Sequence, residues 1–134
     1  MAEFVFRDMV KKAGVSDKFE IASCATSTEA LGETVYPPAK KKLAGHGISC
    51  VGKTARQMTK SDYGYFDYII AMDKFNLRNM TRFVGDDPQK KVSLLLDFTD
   101  CPGDVADPWY TDDFDKTWED VNRGCRGLLD EIGI

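Results

Sequence analysis

Two short apolar runs on either side of a helical pattern constrain this chain more than any other feature. Phe66–Met72 and Val92–Leu96 read as strands, and Asp73–Phe83 between them repeats apolar residues at helical spacing. A strand, a helix and a second strand in that order form a crossover unit, and such units give parallel sheets covered on both faces. The rest of the chain extends the alternation. Ala2, Phe6, Met9, Val10 and Ala13 fall on one helical stripe, and Gly14 directly after it is a C-terminal stop. Phe19–Ala25 alternates and reads as a strand. Pro37 and Pro38 open a helix through about Ala44, closed by Gly45 and Gly47 around His46. Thr54–Thr59 reads as a short helix, with Ser61-Asp62 as the cap of another turn. The last helix is the clearest element: Phe114, Trp118, Val121, Cys125, Leu128 and Ile132 recur at steps of three and four, with Asp112 and Asp113 near its positive end.

The expected fold is therefore α/β, a three-layer parallel sheet with helices on both faces, in a single domain spanning 1–134. With 134 residues the chain is long enough to bury about two-thirds of its unfolded surface without staples. Two features sit oddly with that class: the chain opens on a helix, and three strands are few for five helical segments.

Composition narrows the function. The formal net charge is -4, which argues against a dedicated nucleic-acid binder. No apolar run approaches the length of a membrane span, and Met1-Ala-Glu-Phe shows no basic-then-apolar leader. A cytoplasmic location with no membrane partner is expected. Cys24, Cys50, Cys101 and Cys125 are widely spaced and there is one histidine, so neither a metal site nor a disulfide framework is expected. Charge is uneven: Ala39–Lys60 holds six basic residues and no acid, and Asp97–Asp120 nine acids and one lysine. These are either two solvated faces or a basic region that attracts an anionic substrate or partner.

Several stretches resemble the low-molecular-weight protein tyrosine phosphatases. They are Met1-Ala-Glu-Phe-Val-Phe-Arg, Ser23-Cys-Ala-Thr-Ser, Val35-Tyr-Pro-Pro-Ala-Lys, His46-Gly-Ile, Ala55-Arg-Gln-Met-Thr, Phe66-Asp-Tyr-Ile-Ile-Ala-Met-Asp, Asn76-Leu-Arg, Asp107-Pro-Trp-Tyr and Cys125-Arg-Gly-Leu-Leu. In this order they cover nearly the whole chain. The resemblance implies a phosphotyrosine phosphatase I-like fold that hydrolyses phosphotyrosine protein or aryl phosphate through a cysteinyl-phosphate, with no cofactor.

Asp107-Pro108-Trp109-Tyr110 matches the family's general-acid loop. By resemblance Asp107 is the catalytic acid that protonates the leaving phenolate and then activates water. Trp109 and Tyr110 resemble the substrate-binding wall that clasps the ring. Read without the family, Asp-Pro is a turn and the aromatics are loop packing. Ser23 resembles a serine whose hydroxyl supports the phosphate loop, or it is a strand-end hydroxyl capping its own backbone. Lys53 stands where many relatives have a histidine, and Glu29 where they place a rim aromatic. Asp73 reads as a helix cap, and His46 as a helix-end residue without a visible partner.

The family's strand and Cys-x5-Arg-Ser loop, which supply the nucleophile, precede the stretch that Met1 matches, and no such loop occurs in these 134 residues. Cys50 and Arg56 satisfy the bare spacing, but Gln57 follows where Ser or Thr is usual and no apolar strand precedes, so a structural thiol is expected. The chain is expected to be inactive as given and to bind phosphate weakly, with no nucleophile of its own. A natural pseudo-phosphatase that binds a partner is the alternative, and kinship with the arsenate reductases is not expected, since no cysteine pair lies near the Asp73–Phe83 helix. The family's sheet order of 2-1-3-4 would place the first central strand, missing here, between Phe19–Ala25 and Phe66–Met72. Such a gap predicts either a homodimer or strand-swapped assembly, or direct pairing of the two flanking strands.

Overall fold

The computed structural model describes residues 2–26, 37–48, 56–105 and 114–133. Helix α1 (Ala2–Lys12) ends as its sequence dictates. Gly14 has φ +74°, and the Gly14 and Val15 N–H groups donate to the Lys11 and Val10 carbonyls at 3.1 and 3.0 Å. This is the paired closure that a glycine past the helix end permits. The helix buries Glu3, Val5, Phe6 and Val10. Val5 joins the expected stripe, and Ala13 is exposed beyond the helix end.

Strands β1 (Ile69–Ala71) and β2 (Val92–Leu94) pair in parallel, with Ile69 opposite Val92 and Ala71 opposite Leu94. Helix α4 (Lys74–Val84) makes the crossover. Side chains alternate across a strand, and the two faces of β1 accordingly serve two cores. Ile69 and Ala71 pack with Met58, Tyr63, Met80, Val84 and Leu94, under α3 (Lys60–Tyr65) and α4. Ile70 and Met72 pack on the opposite core of α1, α2 (Pro37–Gly45) and α5 (Phe114–Ile132), which includes Val5, Val10, Leu43, Val121 and Cys125. The three-layer α/β arrangement is thus present.

Both strands are shorter than expected, and a carboxylate and an amide cut them. The Leu94 N–H donates to Asp97 Oδ2 at 3.0 Å, turning Leu95–Phe98 into one 3-10 turn that sends Leu95 and Leu96 into the α5 core. At the end of β1 the Met72 N–H donates to Asn76 Oδ1 at 3.2 Å. Asp73 is the α4 cap, accepting from the Asn76 N–H at 2.7 Å, as expected.

Three local expectations are corrected. Phe19–Ala25 is not a strand: its one ladder contact among the described residues is a parallel bridge from Ala25 to Gln57, and the Ile21 carbonyl accepts from the Arg7 guanidinium instead. Nor does it pair directly with β1, whose ladder among the described residues runs only with β2. Of the Thr54–Thr59 helix, residues 56–59 are extended, because the Ala25 N–H and C=O bond Arg56 and Met58. The α3 cap is Thr59 rather than Ser61-Asp62, with the Thr59 N–H donating to Asp62 Oδ2 at 2.8 Å.

Candidate active site

The C-terminal end of β1 gathers the chain on which the expected chemistry depends. Parallel sheets present their ligand crevices at that end. The Val105 N–H donates to the Met72 carbonyl at 2.8 Å, and the Lys74 N–H donates to Asp104 Oδ1 at 3.2 Å. Val105 is itself buried. The chain therefore leaves the described residues toward Asp107 from a point fixed to the strand end. Asp107, Trp109 and Tyr110 lie outside the described residues, as do Glu29, Cys50 and Lys53.

Ser23 is described, and its Oγ donates to Glu3 Oε1 at 2.6 Å. The other Glu3 oxygen accepts from Arg7 Nε at 3.0 Å. The Glu3 side chain is 4% exposed and that of Arg7 53%, so a buried carboxylate is answered by a half-exposed guanidinium and a hydroxyl. A buried charge persists only with such partners. The same guanidinium donates to the Ile21 carbonyl, so the first turns of α1 hold the Ile21–Ala25 segment by its side chain and its backbone together.

The other flank of that segment is held by Arg56. Its guanidinium donates to both Asp62 oxygens, at 3.0 and 3.2 Å, and this pair holds the Asp62 carboxyl below the usual carboxylate range. Gln57 Nε2 and the Arg82 guanidinium both donate to the Thr26 carbonyl. Ser23 thus sits on a segment braced from α1, from the 56–58 stretch and from α4.

Two readings of single residues change. His46 has a partner: its ring stacks on Trp118 with centroids 3.8 Å apart and planes 11° from parallel. Glu3 was not singled out in the sequence, although an acid four residues before Arg7 is a helical ion-pair spacing. Its link to Ser23 spans twenty residues and has no periodic signal.

None of the three described thiols lies in a Cys-x5-Arg-Ser loop. Cys24 and Cys101 are exposed and Cys125 is buried. Burial pushes the Cys125 thiol up to about 12, which makes it inert at neutral pH. No cluster among the described residues could hold a metal ion, and no described helix is long and apolar enough to cross a membrane.

Comparison with known proteins agrees with this geometry. The sequence pattern of the low molecular weight phosphotyrosine protein phosphatases matches residues 1–133. The low molecular weight protein-tyrosine-phosphatase YfkJ of Bacillus subtilis is 34% identical, covering 98% of this chain and 86% of its own length. The low molecular weight phosphotyrosine protein phosphatase of Schizosaccharomyces pombe is 40% identical, over 82% of this chain and 72% of its own. The crystal structure of YfkJ superposes with a TM-score of 0.93 at 33% identity, over 98% of this chain and 84% of that one. The phosphatase SP-PTP of Streptococcus pyogenes gives 0.87 at 33% identity, over 99% and 83%. A match along nearly the whole chain, in sequence and in fold, settles the family: the chain belongs to the low molecular weight phosphotyrosine protein phosphatases.

Proposed function

We propose that this fold serves the hydrolysis of phosphotyrosine, with Asp107 as general acid, Trp109 and Tyr110 as the wall against the substrate ring, and Ser23 as support for the phosphate loop. The phosphoryl group passes from the tyrosine oxygen to a cysteine thiolate while Asp107 gives its proton to the departing phenolate. The Asp107 carboxylate then takes a proton from the water that attacks phosphorus and frees the thiolate. The observation that carries this reading is the Asp107-Pro108-Trp109-Tyr110 motif two residues beyond Val105, which is bonded to the C-terminal end of β1.

The nucleophile belongs to a Cys-x5-Arg-Ser loop, and these 134 residues contain none. The polypeptide by itself is therefore proposed to be inactive toward aryl phosphates. Turnover by the 134-residue chain that vanishes in Asp107→Ala would overturn this and return attention to Cys50. In a chain extended before Met1 by an apolar strand and a Cys-x5-Arg-Ser loop, aryl-phosphate turnover is expected. Asp107→Asn should lower its kcat by about 10²- to 10⁴-fold, and an unchanged kcat would remove Asp107 from the mechanism. Cys101 and Cys125 as free thiols fit a cytoplasmic setting.

A second reading rests on β1, which has β2 on one side and no ladder on the other among the described residues. An open strand edge recruits another strand, so the 134-residue polypeptide is proposed to form a homodimer or strand-swapped assembly, as a binding module would. Light scattering after gel filtration tests it, and a monodisperse, cooperatively melting monomer rules it out.

A further inference from the structure

Helix α4 carries Lys74, Arg78 and Arg82 and no acid, in a chain whose net charge is -4. Steps of four place the three cations on one face of the helix, and Phe75, three before Arg78, falls on the same face. All four are exposed, while Met80 and Val84 hold the opposite face in the core beside β1.

The charges at the start of this face are open to an outside partner. Elsewhere Arg7, Lys42, Arg56 and Arg123 are each taken by a carboxylate. Neither Lys74 nor Arg78 has an ion pair among the described residues. Two acids at the helix start are spent on backbone: Asp73 accepts from the Asn76 N–H at 2.7 Å and Asp104 from the Lys74 N–H at 3.2 Å. Arg82, at the far end, is held by the Thr26 carbonyl and lies over the Phe83 ring at 4.7 Å. Phe75 is 65% exposed. The other exposed large apolar side chains among the described residues are Tyr65 and Tyr68, whose hydroxyls suit water. Phe75 has no polar atom to offer, and in sequence it adjoins one open cation and precedes the other by a turn.

We propose that this face of α4 docks an acidic segment of the protein that carries the phosphotyrosine, with carboxylates on Lys74 and Arg78 and an apolar side chain on Phe75. A guanidinium takes a carboxylate in two parallel hydrogen bonds, and acidic motifs are read by such cations elsewhere. Two open cations are few for a nucleic acid, whose binding draws on many phosphate contacts, and they suit a short acidic segment. The face starts at the C-terminal end of β1, where parallel sheets present ligand crevices, so a docked segment lies beside the crevice. The inference rests on the phosphotyrosine reading above for the identity of the molecule that carries the segment.

The test is a titration of the isotope-labelled 134-residue polypeptide with an unphosphorylated peptide of glutamates around one leucine, read by amide chemical shifts. It involves no turnover and no phosphate, so its failure leaves the assignment of Asp107 standing, and failure of that assignment leaves the titration standing. Shifts are expected along Lys74–Arg82, with affinity falling as salt rises. Lys74→Gln and Arg78→Gln should each weaken binding by about 2- to 5-fold, the worth of one exposed ion pair, and Arg78→Lys, which keeps the charge, should lose less. Phe75→Ser should weaken it by about 3- to 10-fold. All three positions are exposed, and an unchanged amide spectrum outside α4 shows that each variant keeps the fold. Shifts that map to another face would overturn the proposal, as would equal binding of a peptide with glutamine in place of glutamate. Equal or tighter binding of an oligodeoxynucleotide on the same face would overturn it too, by making α4 a general polyanion surface.

Discussion

Gly127 is where α5 comes closest to the rest of the protein, and Gly127→Ala measures that approach. A Cβ at Gly127 would stand 2.0 Å from the Phe98 carbonyl oxygen and 2.8 Å from its carbon. That is roughly 1.5 Å short of ordinary contact. The obstacle is backbone, in a 3-10 turn held by Asp97 at one side and by the Thr99 N–H bond to the Leu96 carbonyl at the other. It cannot swing away as a side chain would. Helix α5 must retreat instead, drawing Val121, Cys125 and Leu128 out of their packing. Overpacking costs about 1–3 kcal/mol, and more where backbone has to move. Alanine returns about 0.8–1 kcal/mol of helix propensity. The net expectation is a loss of about 2 kcal/mol, which for a chain of this length lowers Tm by roughly 6–8 °C. Gly64→Ala in α3 is the control, because its Cβ would meet nothing within 4 Å, and it should gain about 0.5–1 kcal/mol. Thermal and urea melts of both variants decide the matter. If Gly127→Ala melts at or above the unsubstituted protein, as Gly64→Ala should, the close approach of α5 is wrong.

Burial sets Cys125 apart from the exposed thiols: Cys24 and Cys101 should alkylate with iodoacetamide at pH 8, and Cys125, held up to about 12, should stay unmodified until the protein unfolds. Because its folded value lies above the unfolded one, Cys125 contributes stability that is complete below the ordinary thiol range and is lost as pH rises from about 9 toward 12; Cys125→Ala should flatten that alkaline limb of a melting-temperature profile. Asp62 has the opposite sign. Its carboxyl is lowered by the Arg56 hydrogen bond, so its contribution is present above the ordinary carboxylate range and fades as pH falls through the lower folded value. Asp62→Asn should flatten the acid limb and cost about 1 kcal/mol at neutral pH as a weakened cap, and an acid limb identical in the two proteins would remove Asp62 from it.

Helices were legible because their signals are local. The α5 stripe, the Gly14 stop and the Asp73 cap each lie within a turn or two of the residues they govern. The strands were legible in place and not in length. Val92–Leu96 is apolar but for Ser93, and nothing in that run announces that Asp97 will take the Leu94 N–H and turn Leu95 into the opposite core. Phe19–Ala25 has the alternation of a strand, but a strand needs a neighbour, and here the Ile21 carbonyl goes to Arg7. Asp107-Pro108-Trp109-Tyr110 was legible as a motif by resemblance. Ser23 could be picked by resemblance, whereas its partner Glu3 lies on another element, and His46, just past the end of α2, and Trp118 on α5 sit 72 residues apart with no shared period.

The two charge runs show how far a pattern can be from its use. As sequence, the acids of 97–120 were either a solvated face or a counterpart to a basic surface. In the fold, Asp97 ends a strand and Asp104 accepts the first N–H of α4. Asp115 pairs with Lys42, and Asp120, buried in α5, pairs with Lys116 at 3.1 Å and Arg123 at 3.2 Å. From the basic run, Lys42 is taken by Asp115 and Arg56 by Asp62. The charges so named serve the fold, as caps and clasps. A charge so paired projects little field into solvent at physiological salt, whereas Lys40, Lys41 and Lys60 of the same run stand exposed.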